Sequence, residues 1–486
     1  MSAARVPSPD ALSAANLAAS PVDDVLAQTL PLTRAERQWS FLDVLSVKSG
    51  LAIATWAFLF GGTTAQYVGF RDGVLTMLAG NTIGVVILLL ALVLPSAKWG
   101  TEFYVHQRSV YGPVGALGFV LVVVVALVFA WAAILATMIG KSAVEIVRIA
   151  MPSVLPNVSL LQTTVAVLML ALAWVILIRG SASVRLLSRF AAPGLLLLCV
   201  WLMFALFSRV SLATLLAAPA ITPHPNRATN IMLVVELHIA GGISWASLAA
   251  NLGRYARTQR AVVWGSLIAY VPVYVVAASV GLISALVLGS ADPVSWMIPI
   301  TGPLAGVVLL VLLAIANLSS LVGMVQGNCQ TLIQHGGARL QQLGWPRFTF
   351  MFFCCVAAVV LLASDVLYDR FYTLIAFSEA ILAPMCGIAL ADRLLLRRNM
   401  VNLRALYDTS VNGPYAYWGR VNWAAFIALG AGAAVYLALL NPLTMTGTAL
   451  FTRLSASVPA VITACAAHVL LARAVVMRAG KGAYGR

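Results

Sequence analysis

Residues 312–330 read LLAIANLSSLVGMVQGNCQ, where Asn317, Ser319, Ser320, Gln326, Asn328 and Gln330 interrupt an otherwise apolar run. Ala316, Ser320, Gly323 and Gly327 follow one another at helical steps of four, three and four, so they share one small, polar face. Such a face serves close helix packing. With Ser319 beside it, it also offers two hydroxyl oxygens to a small hard cation, whose other ligands would be carbonyls of an unwound segment. Trp131 in FAWAAILA and Trp245 in GGISWAS are flat walls of the kind a planar solute needs. A stacked ring gains roughly 0.5–1.5 kcal/mol beyond area burial. The alternative for either ring alone is packing or an interfacial belt.

Ionisable groups are few within the apolar runs: Glu236 and His238 in VVELHIAGG, Glu379 in FSEAILAP, and His468. Charge is costly there, which makes each a functional candidate. Glu236 and His238 would form a proton-responsive pair beside a helix break. Their alternative is an interfacial position or a satisfied hydrogen-bonded pair, and His468 reads as structural.

The elements that must position these residues are membrane helices. The chain has 486 residues, of which 62% are hydrophobic and 9% charged, and its mean hydropathy is +0.97. Soluble domains lie far from this composition. Twelve apolar runs are long enough to cross about 30 Å of hydrocarbon: 45–70, 73–96, 113–140, 158–178, 189–208, 229–252, 261–289, 303–329, 348–364, 372–391, 422–440 and 455–476. They are continuous and do not alternate, so they are helices and not barrel strands. An all-α integral membrane fold is expected.

Glycine pairs occur in the first run, FLFGGTTAQ, and in the sixth, IAGGISWA. The first and sixth spans run in opposite directions, so a five-plus-five inverted repeat makes them counterparts. Interrupted helices at matching positions of two halves point to a transport site near the membrane midplane, and the alternative for either pair alone is close helix packing.

The net charge of +15 follows topology and not a nucleic-acid patch. With the N-terminus inside, the outer residues are Arg71, Lys141, Arg148, Arg209, Arg227, Arg370 and Arg453, which leaves 23 of the 30 Lys and Arg inside. Both termini are therefore expected in the cytoplasm. Residues 1–40 contain acids and lack an early apolar core, unlike a secretory leader. The six cysteines fall within or at the ends of spans without metal-type spacing and read as small buried apolar residues, neither disulfides nor ligands.

Four stretches carry a family resemblance: GFRDGVLTMLAGNTIGVVI (69–87), AKWGTEFYVHQRSVYGPVGALG (97–118), SWASLAANLGRYAR (244–257) and APMCGIALADRLL (383–395). They resemble the nucleobase cation symporter family of cytosine, purine, hydantoin and thiamine-precursor permeases, over residues 40 to 440. The motif positions are Gly80 and Asn81; Arg108, Tyr111 and Gly112; Arg254 and Tyr255; and Pro384, Gly387 and Asp392. The resemblance implies a leucine-transporter-like fold of ten core helices in two inverted repeats plus two C-terminal helices. It implies uptake of a planar solute with Na⁺ or H⁺. The solute would lie between Trp131 and Trp245 with Ser244 in close backbone contact. The cation, Na⁺ at Ser319 and Ser320, would lie between that face with Ala316 and an unwound first helix at about 51–58, including Ala52 and Thr55.

Departures from the family pattern are Leu135, Leu321 and Val325, where many members carry amides, and Asn251, where many carry an acid. The solute edge must then be read by other groups, with Gln326, Asn317, Gln66 and Thr55 as candidates beside Ser244. The expected organisation is a cytoplasmic tail (1–43), repeat one (44–208), repeat two (229–392), helices eleven and twelve (417–476) and a second tail (477–486). Expected partners are a heterocyclic solute, a coupling cation and the bilayer, with no cofactor and no nucleic acid, for a monomer in the inner membrane. The rivals are a proton-coupled amino-acid or amine permease of the same fold, which would depend on Glu236 or His238, and a membrane enzyme or assembly subunit. Against an enzyme stands the lack of a nucleophile or His/Asp/Glu constellation in the sequence.

Overall fold

In a computed structural model of the chain, the residues described are 30–484, apart from 54, 154–156, 180–193, 196, 337–339 and 341. Residues 1–29 of the expected tail and the start of the fifth run, including Arg185 and Arg189, lie outside the described residues. The structure is helical almost throughout; one short hairpin pairs Leu440–Asn441 with Thr446–Gly447.

Among the described residues, eight helices are long and apolar enough to cross a membrane, or ten when two bent pairs are each counted as one span. The fifth and eleventh expected spans are represented by shorter apolar helices, Leu197–Phe207 and Trp423–Leu439. The eighth span extends further than its apolar run, over Pro303–His335. Its polar C-terminal end is buried protein surface and not lipid-facing, which hydropathy does not register.

The bent pairs are the first and sixth spans. Phe41–Ala52 and Thr55–Tyr67 meet at 55°, and Arg227–Ser244 and Ala246–Gly253 meet at 43°. Neither break falls on a glycine pair. Gly61 and Gly62 lie inside the helix Thr55–Tyr67, and Gly241 and Gly242 inside Arg227–Ser244. These glycines are contact points between helices. A Cβ on Gly61 would overlap the Ala278 carbonyl, and one on Gly281 the Phe58 carbonyl. The first and seventh spans therefore cross backbone to backbone. Gly80, Gly84 and Gly242 make the matching crossing of the second and sixth spans. The sixth span turns instead at Trp245, and the first in the interval between Ala52 and Thr55.

The motif glycines and prolines near the C-terminus serve the same end. Gly387 lies on the Val461 backbone and Gly432 on Pro384, so the tenth span packs closely on the two helices that follow it. Two short helices occupy matching loops of the two halves, Phe103–Tyr111 after the second span and Pro293–Thr301 after the seventh.

Basic residues assigned to the inner side gather at one end. Arg37 donates to the Ala97 carbonyl, Lys98 to Asn399, Arg108 to Leu406 and Arg397 to Ser109. Outer residues make separate contacts: Lys141 with Asp292, Arg209 with Pro299 and Arg227 with Asp72. Lys48 of the inner set is completely buried in the first span and marks no surface. The residues 477–484 are also not a free tail, because the Gly482 carbonyl accepts from Arg397 and Tyr484 donates to Asp392. Cys354 and Cys355 are exposed on the ninth span, contrary to their expected burial. A helix facing lipid has no polar penalty for showing a thiol.

Candidate substrate and cation site

Because Trp245 ends one half of the sixth span, its ring leaves the helix face at the turn and enters the space beside the third and eighth spans. A cavity of about 390 Å³ opens there, within the usual range for a small-molecule pocket. Its lining includes Trp131, Leu135, Ser244, Trp245, Ser319, Ser320 and Gln326. It continues past Asn251, Arg254 and Tyr255 to Glu102, toward the end where the inner-set arginines gather.

A chain of rings links the lining residues Trp131, Trp56 and Trp245 through Phe371 and Phe60, which do not line the cavity. Trp131 meets Phe371 edge-on at 5.4 Å, Phe371 meets Phe60 at 5.0 Å, Phe60 meets Trp56 at 5.7 Å, and Trp56 meets Trp245 at 4.7 Å. Tyr270 is stacked on Trp245 at 4.9 Å. One face of Trp245 is thus already covered, and a solute ring would take what remains.

The other candidates are distributed unevenly. Ser244 lines the cavity while its hydroxyl donates to the Gly241 carbonyl at 2.7 Å. Ala52, Thr55, Ala316 and Asn317 are buried behind the wall and are not part of its lining. The Thr55 hydroxyl and both polar atoms of the Asn317 amide have no hydrogen-bond partner among the described residues. Buried polar atoms seldom stay unpaired. Hydroxyl and amide oxygens, like carbonyls at the first-span break, are the donor types that a hard cation takes. Gln66 does not belong to the site. It lies near the far end of Thr55–Tyr67, where its backbone carbonyl accepts from Thr222 at 2.9 Å.

Glu236 and His238 are also away from the cavity. His238 lies 3.0 Å from the Thr64 hydroxyl and 3.1 Å from the Tyr274 hydroxyl, in contact with neither Glu236 nor the lining. Consecutive even positions on a helix point about 200° apart, so spacing of two separates them. Glu236 points at the twelfth span instead. His468 sits 3.5 Å from Asp392 and has a structural setting.

Several residues of the site escaped the sequence. Lys48 donates to the Ala249 carbonyl at 3.3 Å and to Ser266 at 2.7 Å, and its ammonium lies 5.2 Å from the Tyr270 ring centre. It ties the first span to the second half of the broken sixth, behind the Trp245 stack. Nothing in the sequence distinguished it from a topology-marking lysine. Glu102 caps Phe103–Tyr111 by accepting from the Val105 N–H at 2.9 Å. It also accepts from Thr331 at 3.0 Å and Asn251 at 3.2 Å. An acidic group therefore stands beside Asn251, where family members often carry the acid in the chain itself. The available signal was an acid directly before a short amphipathic helix. In that same loop helix, burial pushes the His106 imidazole down to about 4, which keeps it neutral at physiological pH.

The motif residue Asn81 donates its amide to the Tyr270 carbonyl, at the π-turn Ala269–Val273 of the seventh span. It thereby supports the ring stacked on Trp245. Tyr255 is stacked on Trp39 at 5.3 Å and pins the segment before the first span to the end of the sixth.

Residues 31–455 match the family described as permease for cytosine/purines, uracil, thiamine, allantoin. The chain is 26% identical over 452 residues to the hydantoin permease of Microbacterium maritypicum, covering 88% of this chain and 87% of that one. It is 26% identical over 438 residues to the purine-uracil permease NCS1 of Arabidopsis thaliana, covering 83% and 69%. In fold it is similar to the inward-facing conformation of Mhp1, with a TM-score of 0.76 at 20% identity over 93% of this chain and 94% of that one. It is also similar to Mhp1 in a closed conformation with bromovinylhydantoin bound, a nucleobase-cation-symport-1 family transporter, with a TM-score of 0.73 at 21% identity over 93% and 96%.

Proposed function

We infer function from the premise that this chain belongs to the family of permeases for cytosine/purines, uracil, thiamine and allantoin, the nucleobase cation symporters. It is a multi-pass membrane transporter and not an enzyme, with the leucine-transporter-like fold. The proposed solute is a nucleobase or a related planar heterocycle of the cytosine, purine, hydantoin or thiamine-precursor type, imported with a cation. The observation that carries this is one cavity of about 390 Å³ lined jointly by Trp131, Trp245, Ser244 and Gln326. Flat walls with a few directed polar groups suit a flat, hydrogen-bonding ring. Gln326 and Ser244 are proposed to bond its edge, since Leu135 offers no amide.

The coupling cation is proposed to be Na⁺, held by Ser319, Ser320 and the Ala316 carbonyl on the eighth span and by carbonyls near Ala52 and Thr55. The unpaired Thr55 hydroxyl and Asn317 amide favour this placement. Cation binding would fix the first span to the eighth, and solute binding would let the aromatic chain close over it. The excess of inner-set basic residues supports a reading with both termini in the cytoplasm, and a monomer in the inner membrane is proposed with it. A proton-coupled amine permease is the weaker reading, because Glu236 and His238 lie outside the cavity.

Uptake and thermal-shift assays over a heterocycle panel, with Na⁺ and with a pH gradient, test the proposal. Trp131→Ala and Trp245→Ala are each expected to weaken ligand binding by about tenfold or more, the loss of one stacked face. If neither changes the affinity of any ligand found, the stacking assignment fails. Ser319→Ala is expected to abolish Na⁺-dependent stabilisation by ligand. Stabilisation that ignores Na⁺, with Ser319→Ala silent, would transfer the coupling role to H⁺.

A further inference from the structure

Glu236 of the sixth span and Glu379 of the tenth are 3% and 0% exposed. Between them stands Ser457, the first residue of the helix Ser457–Leu471. Glu236 accepts from the Ala456 N–H at 2.9 Å, the Ser457 N–H at 3.1 Å and the Ser457 hydroxyl. A helix N-terminus with converging N–H groups is a seat for an anion. The Ser457 oxygen also lies 3.2 Å from Glu379 Oε1.

The hydrogens can be counted. A serine hydroxyl has one hydrogen to give, and the shorter contact commits it to Glu236. The contact with Glu379 then takes its hydrogen from the Glu379 carboxyl, which donates to the Ser457 oxygen. Two facts outside this chain of bonds agree. Glu379 Oε2 has no partner among the described residues, as an ionised oxygen in the protein interior would need. The fully buried Tyr436 hydroxyl faces both carboxylates and is a donor in reach of Glu236, the anion. None of the ion pairs among the described residues supplies either glutamate with a cation.

We propose that the joint between the sixth, tenth and twelfth spans is a proton-binding site, in which Glu236 is the anion and Glu379 carries the one proton the pair shares. Two carboxylates on one hydroxyl cannot both ionise cheaply. When the proton leaves to solvent, the pair becomes doubly negative, with the Tyr436 hydroxyl facing both members. Other titratable groups facing the joint are few. Cys386 follows on the tenth span. His238 is committed to Thr64 and Tyr274, Asp72 of the second span to Arg227, and Arg453 is exposed. The site is independent of the transported solute, and its test requires no transport.

Infrared titration of the full-length chain in detergent reads the proton directly. A protonated-carboxyl band is expected at neutral pH, lost on alkalinisation and missing from Glu379→Gln. In Glu236→Gln the band remains but is lost at a lower pH than in the parent, because the like charge is gone. In parallel, Glu379→Gln is expected to melt like the parent at acid pH, where the unfolded carboxyl is protonated too, and to escape the fall in melting temperature that the parent shows as pH rises. A band unchanged in Glu379→Gln overturns the proposal. So does a band whose titration is indifferent to Glu236→Gln.

Discussion

Adding a single methyl group at Gly61 is expected to unfold the transporter's core. Gly61→Ala places a Cβ on the Ala278 carbonyl, and the obstacle is backbone, so no rotamer change relieves it. Overpacking costs typically 1–3 kcal/mol where side chains can shift, and here the cost should reach about 3 kcal/mol or more. The seventh-span helix would have to move away from Thr55–Tyr67, carrying with it Tyr274, which is stacked on Trp56 at 5.2 Å. Gly118→Ala provides the contrast. Nothing lies within 4 Å of the added Cβ, and the site is helical. That variant should be neutral or stabilised by up to about 1 kcal/mol. Thermal unfolding of the two purified variants in detergent, beside the parent, decides the matter. Equal melting temperatures for both would show that the crossing is looser than described.

Asp392→Asn is expected to cost about 3–5 kcal/mol, the usual penalty for leaving one member of a buried ion pair alone. Arg397 and Asp392 side chains are 3% and 4% exposed and meet at 2.7 Å. Burial works against the Arg397 charge, and the adjacent Asp392 carboxylate overrides it and holds the guanidinium above its ordinary range. The same guanidinium donates to the carbonyls of Ser109 and Gly482, and Tyr484 donates to Asp392. Loss of the carboxylate should therefore release the C-terminal residues as well as lower the melting temperature. Faster proteolysis or amide exchange confined to residues after 476 is the specific sign. Asp392→Asn combined with Arg397→Met should recover part of the loss, since no unpaired charge stays buried. A double variant no better than the single would mean that the shared hydrogen bonds, and not the charge, hold the joint.

Among the site residues, those legible in the sequence share a property. Trp131, Trp245, Ser319, Ser320 and Gln326 are aromatic or polar residues set against an apolar background, which marks them one at a time, and the family resemblance added Ser244. They come to one cavity. Residues whose role depends on a distant neighbour were not legible. Lys48 differs from a surface lysine only because Ala249, Ser266 and Tyr270 surround it. Glu236 looked like a partner for His238, and its true neighbours are Ser457 and Glu379, more than a hundred residues on.

The glycine pairs mark the dividing line. By itself the sequence determined that the chain spans a membrane in long helices, that its first and sixth spans are special, and that small polar residues line the eighth. Those conclusions follow from local cost: hydrocarbon penalises charge and unpaired backbone wherever they occur along the chain. The family resemblance already put the first break upstream of Gly61 and left that pair for packing, and the tertiary structure alone decided which helices cross there and that the sixth span turns at Trp245 while Gly242 is a crossing point. A glycine is permissive for a break and for close approach alike. Which one it serves depends on whether another helix's backbone fills the space where its side chain would be.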